Sequence, residues 1–373
     1  MSKRIEYIDI ARGIGILLVV IGHNDFAVIS PFVYKLIYSF HMPLFFFLSG
    51  YFLNPAVRFP TFFKKRFNSL LKPFFFTIFL IYFFSISFGK MGFQTAIGRT
   101  IKSLYGAGYY LDWVQLWFLP HLFAVSIYAY VFYKVAGKIN SRLIRWLILL
   151  FTLFIASLYL NFFYPFSLSV LGKGYELFGL PFSLDLVLLS GFFFILGSET
   201  RHLKTENLFS NPFFALGMGT AMILLILIFP ARIDFNTRLF ESFLVNTVEA
   251  VVGILFALAI SRQIELRASR LGSLFKYFGK ISLIILILHV PIQDYWGQKI
   301  LAVTENPALS IWLAFFMGVA GSVLLFELFV KTNPVASFWL GREAELPRRP
   351  DVPLQTPQAE VQDSQKISVN HES

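Results

Sequence analysis

Runs of about twenty apolar residues recur along the whole of this sequence, and that pattern constrains the fold more than any motif. They fall near 8–29, 31–53, 73–90, 112–135, 144–163, 181–199, 213–230, 240–260, 281–297 and 309–330. Each is long enough to carry a helix through a hydrocarbon core about 30 Å thick at about 1.5 Å of rise per residue. Phe, Ile and Tyr favour strands in water, but an open strand in lipid leaves its backbone groups unpaired. A membrane barrel would need apolar and polar residues to alternate over about ten positions, and stretches such as 147–155 and 281–288 do not alternate. Of 373 residues, 57% are hydrophobic and only 14% charged. One water-soluble core cannot hide that much apolar surface, which excludes a soluble enzyme, a disordered chain and a fibre. The expected fold is all-α: a polytopic integral membrane bundle of about ten transmembrane helices over residues 1–340. The remainder, 341–373, is polar and contains Pro347, Pro350, Pro353 and Pro357; it reads as a disordered cytosolic tail.

Basic residues set the expected orientation. With a cytosolic N-terminus, 23 Lys and Arg lie on the cytosolic side and 8 on the other, with Arg12 inside the first run. By the positive-inside rule both termini are then cytosolic. The net charge of +11 is accounted for by topology, and no nucleic-acid partner is needed. Asp9, Arg12 and His23 interrupt the first run and no small-residue cleavage site follows, so the start does not read as a signal peptide. Cysteine is absent, which removes disulfides, thiol nucleophiles and Cys metal sites.

Ionisable groups inside a span are costly and point to function. Arg12 and His23 are eleven residues apart, close to three turns, so one helix face carries both about 16 Å apart. Asp9 stands on the same face, one turn before Arg12. The second run puts His41 two residues before Pro43, with Ser49 and Gly50 permitting close helix approach. His41 descends as His23 ascends, so the two are expected at similar depth near mid-membrane. Lys64, Lys65, Arg66 and Lys72 follow on the cytosolic side. They serve either as topogenic charge or as a grip on the phosphates of a cytosolic cofactor. His121 follows Pro120 at the outer interface, His289 stands two residues before Pro291 in the ninth run, and Glu249 and Asp185 are buried acids. Each of these also has a plain structural role open to it. No serine-hydrolase elbow, zinc helix or phosphate loop is present, and no metal is expected.

The stretch from Ile8 through Asp9, Arg12 and Gly22 to His23 resembles the opening of the acyltransferase-3 family of membrane O-acyltransferases, in its fucose 4-O-acetylase-like branch. The likeness continues through 39–52, the Lys/Arg–Pro73 junction, 117–120 and 282–289, nearly the whole chain. It departs from the family pattern at Ser69, where an Arg is common, and in 284–288, where many members have a Tyr. The resemblance implies transfer of an acetyl or other short acyl group from cytosolic acyl-CoA to a hydroxyl of a glycan or lipid-linked sugar. It carries Arg12 and His23 over as the functional pair and Arg66 as a donor-site residue. Such a transfer needs a base for the hydroxyl proton and a means of offsetting oxyanion charge. A neutral imidazole in an apolar bundle suits the first role, with His41 as the competing base. Arg12, Lys64, Lys65, Arg66 and Lys72 suit the phosphates of CoA. The co-substrate is then acetyl-CoA or another acyl-CoA, the partners are a carbohydrate acceptor and membrane lipid, and the expected location is the bacterial inner (plasma) membrane. A transporter or flippase of a lipid-linked sugar is the alternative, since ten spans with a polar stripe would serve it as well.

Overall fold

A computed structural model describes residues 5–340 apart from 140, 171, 202 and 204; the tail assigned to 341–373 lies outside the described residues. The chain is all-α and polytopic. Two short antiparallel hairpins, Phe166–Val170 with Lys173–Leu177 and Ile233–Asp234 with Leu239–Phe240, interrupt the helices.

The first run is shorter than its sequence suggests. Helix α1 covers Glu6–Gly22 and ends there, because Asp25 takes a left-handed φ of 43° before the single turn α2, Phe26–Ile29. The four carbonyls this leaves at the end of α1 are all satisfied. Val19 O accepts from the His23 amide and Ile21 O from the Asn24 amide. Gln293 Nε2 donates to Val20 O at 3.0 Å, and the Tyr38 hydroxyl to Gly22 O at 3.2 Å. The second run is broken too, into α3, Pro31–Tyr38, and α4, His41–Tyr51. The break precedes Pro43, which sits in the first turn of α4, where a missing N–H costs nothing. Both histidines therefore stand at helix ends rather than mid-helix.

The basic segment and the third run form one path of 29 residues: α5, Phe59–Arg66; a π-helical turn, Phe67–Leu71; and α6, Lys72–Ser87. Then come α7, Phe93–Ser103; α8, Phe118–Ala136, behind a 3₁₀ turn Val114–Trp117; α9, Arg142–Tyr159; and α10, Val187–Thr200. The second half holds α11, Glu206–Ser210; α12, Pro212–Ile228; α13, Phe243–Arg267; α14, Ser269–Lys280; α15, Ser282–Thr304; α16, Pro307–Leu325; and α17, Pro334–Trp339. Among the described residues, seven helical segments are long and apolar enough to cross a bilayer, or eight if the α14–α15 pair, bent by 80°, is one span. The two other apolar runs are α1 and α12, at 17 residues each.

Close backbone contact holds the centre together. A Cβ at Gly13 would run into the Phe275 carbonyl, and one at Gly279 into the Asp9 carbonyl, so α1 and α14 touch through glycine. Gly50 of α4 lies against the Phe194 backbone, and Gly197 of α10 against that of Phe47. This is small-residue packing, the usual means of bringing helices together in lipid. Outer faces are apolar: α9 turns Leu149, Leu153 and Ala156 inward and leaves Leu147, Phe151 and Leu158 exposed. That inversion of the soluble pattern is what a lipid-facing helix requires.

One loop charge proves to be a core charge. Arg238, counted above with the outward-facing basic residues, is buried with Asp185 in a two-pronged ion pair. Nε meets Oδ2 at 2.8 Å and Nη2 meets Oδ1 at 3.2 Å. Nη1 donates to the Asn236 carbonyl and Leu180 N–H to Asp185 Oδ1. Gly179, at φ +85°, lies flat against the guanidinium, where a Cβ would collide.

Candidate active site

Residues 12, 16, 19 and 23 of α1 and its cap form one face, and that face lines a cavity of about 410 Å³. The volume is in the range of small-molecule sites. Arg12 and His23 thus open into one space, with Ile16 and Val19 between them. Met42, Phe45 and Ser49 of α4, Ser69 and Leu70 of the π-helical turn, and Leu119 and Leu122 of α8 add to its walls. The π-turn inserts a residue into the ladder and so delivers Ser69 to the cavity, a common use of such bulges. Lys280 and Ser282 enter from the sharp bend between α14 and α15.

The cationic side holds Arg12 and Lys280. The Arg12 guanidinium lies 5.5 Å from the centroid of the Phe52 ring. Arg66 is within electrostatic reach of Arg12 but does not line the cavity; its guanidinium sits over Phe62 and Phe194 at 5.5 and 5.9 Å. Lys64 and Lys65 are exposed on the last turn of α5. Lys72 lies 3.7 Å from the centroid of Phe338 in α17, away from the cavity lining. Of the four basic residues expected to hold a donor, only Arg66 is thus near Arg12, and Lys280 is a fifth that spacing did not single out.

The histidines divide. The His289 ring is 5.5 Å from that of His23, centroid to centroid. His41 packs on Tyr38 at 4.8 Å, donates from Nδ1 to the Ile37 carbonyl at 2.9 Å, and is outside the cavity lining although its neighbour Met42 is in it. His121 is fully buried between the Phe182 carbonyl, 3.2 Å from Nδ1, and the Ser190 hydroxyl, 2.8 Å from Nε2. Both its nitrogens are used, and it anchors the Trp117 ring stacked on it. Asp9 is buried at the α1–α14 contact, outside the lining. Glu249 is buried on α13, 3.4 Å from Asn246 Nδ2 and within electrostatic reach of Lys35. Among the described residues no group of three or more His, Asp or Glu is arranged to hold a metal ion.

Gln115 carried no signal of its own in the sequence, yet it lines the cavity. Pro291 has no N–H, so the carbonyl four residues earlier, Ile287 O, lacks its helical donor. Gln115 Nε2 fills the gap at 3.1 Å, while its Oε1 is buried without a protein partner. Pro291 inside an apolar run was the available clue, since a carbonyl freed in lipid must find a donor elsewhere.

The fold and the cavity define the class as a helical membrane protein with an arginine and a histidine facing one pocket within the bundle. Residues 5–327 match the acyltransferase-3 family, described as an acyltransferase domain, and the chain belongs to that family. No curated protein and no solved structure matched it.

Proposed function

We propose that this acyltransferase moves an acetyl or other short acyl group from acyl-CoA to a hydroxyl of a glycan or lipid-linked sugar, in the inner membrane of a bacterium and with both termini cytosolic. The observation that carries the reading is the single cavity joining Arg12 to His23 along one helix face. Its length, about 16 Å between those residues, suits an extended pantetheine arm with phosphates toward Arg12 and Lys280 and the thioester toward His23. In the reaction the acceptor's O–H bond breaks and its proton passes to His23. The hydroxyl oxygen bonds to the acyl carbon, the C–S bond breaks, and the CoA sulfur leaves and takes up the proton. Cavity-lining Ser and Lys groups are available to the transient oxyanion. A lipid-linked acceptor is supported by an apolar groove of about 850 Å³ between α6, α15 and α17, with Lys90 in its wall. Ile287 lines this groove while its carbonyl holds Gln115 of the cavity. Release of CoA from labelled acetyl-CoA by the purified chain, with label transferred to an added polysaccharide precursor, tests the proposal. Sugar movement without CoA release would instead favour a flippase.

Two expectations follow for variants and topology. Arg12→Gln and Lys280→Gln should each raise KM for acyl-CoA on the order of tenfold, the loss of one charge-assisted contact. Lys64→Gln with Lys65→Gln should change it less, because those side chains are exposed and salt-screened outside the cavity. Equal effects from both pairs would move the donor site out to the membrane surface. A reporter fused after Lys331 should be active only in its cytosolic form; activity on the far face would require an odd number of spans.

A further inference from the structure

We propose that His289 is the positioning partner of His23: it accepts a hydrogen bond that fixes which nitrogen of His23 carries the proton and leaves the other free as the base. This rests on the acyl-transfer reading of the cavity. His289 Nδ1 is 2.7 Å from the Ile285 carbonyl. A carbonyl only accepts, so Nδ1 carries the proton and Nε2 of the neutral ring holds a lone pair. That Nε2 is buried without a hydrogen-bond partner, in a residue with no exposed surface. An orphaned acceptor at that depth is costly unless a donor is presented to it. The His23 ring, which has an N–H to offer, lies 5.5 Å from the His289 ring centroid to centroid and is tilted by 51°.

The two helices are tied together at this level. Gln293, one turn beyond His289, donates to the Val20 carbonyl at the end of α1, and next to His23 the Asn24 side chain donates to the Ile311 carbonyl of the neighbouring α16. The His23 backbone is therefore held against α15, and a rotation of the ring brings an N–H onto His289 Nε2; catalytic hydrogen bonds commonly tighten this way only once substrate is bound. With one nitrogen committed as donor, the other keeps its lone pair, and since His23 lines the cavity that lone pair is the one offered to the acceptor hydroxyl. The logic is that of a buried group orienting a catalytic imidazole, with a neutral acceptor that adds no charge to the bilayer. His41 does not fill this place: its ring packs on Tyr38 rather than His23.

The test uses the full-length chain in detergent with acetyl-CoA alone, water serving as acceptor and released thiol as the readout. His289→Leu removes the acceptor atom and should lower kcat about 10²-fold with KM for acetyl-CoA within twofold of wild type. His289→Gln can keep an acceptor oxygen near the Nε2 position and should recover most of that loss. Wild-type kcat in His289→Leu, or equal loss in both variants, overturns the proposal. The ¹⁵N spectrum of labelled His23 provides a readout independent of turnover. Wild type should show one neutral tautomer and His289→Leu a mixture, and a mixture in wild type overturns the proposal even if the leucine variant does not fold. Absence of thiol release from wild type would count against the acyl-transfer reading, whereas a single wild-type tautomer lost in the variant would still establish the pairing.

Discussion

His23→Gln should lower the rate of acyl transfer by roughly 10²–10⁴-fold, the usual contribution of a general base, while the protein still folds and binds acyl-CoA. Glutamine retains hydrogen bonding but cannot take a proton. In the proposed arrangement the donor's phosphates lie about 16 Å away, toward Arg12, so KM for acyl-CoA should change little, and a fall in kcat alone marks a group that acts in the transition state. His41→Gln is the control. Its Nδ1 is engaged by the Ile37 carbonyl and its ring is outside the cavity, so it should retain most activity. The reverse pattern, with His41→Gln inactive and His23→Gln active, would assign the base to α4 and sink the mechanism above.

The second large effect is on stability. Arg238→Met should destabilise the fold by about 3–5 kcal/mol, because it leaves the Asp185 carboxylate buried without its countercharge. Asp185 and Arg238 have side-chain exposures of 0% and 1%, so water cannot take the place of the missing partner. Asp185→Leu combined with Arg238→Met removes both charges and should recover much of the loss. Thermal unfolding of the purified proteins, followed by the loss of monodisperse material, measures both. A single variant as stable as wild type would mean that the pair is hydrated.

Much of this was legible because it is periodic. A helix face repeats every 3.6 residues, so the spacing of Arg12 and His23 placed both on one stripe, and the cavity takes its four α1 residues from that stripe. Apolar runs revealed an all-α membrane bundle because lipid leaves the backbone few alternatives. The motif around those two residues pointed to the acyltransferase-3 family, which the match over 5–327 bears out.

Helix ends were less legible. The break after Gly22 depends on caps supplied by Gln293 and Tyr38 from other helices, and the one before His41 on the Ser39 and His41 side chains taking the Leu36 and Ile37 carbonyls, so hydropathy alone ran both segments on. Arg238 was misread for the same reason: a basic residue in a polar loop looks like topogenic charge until a partner 53 positions away buries it.

By itself, then, the sequence determined what local periodicity and solvent dictate: helices, their apolar faces, and the stripe from Arg12 to His23. Only tertiary packing decided what meets that stripe. Glycine contacts between α1 and α14 bring Lys280 to the cavity, Pro291 recruits Gln115, and the tie from Gln293 to Val20 holds the His289 ring 5.5 Å from that of His23. Such pairings join residues hundreds of positions apart, and they are selected by which backbones can approach and which freed carbonyls must be satisfied in lipid.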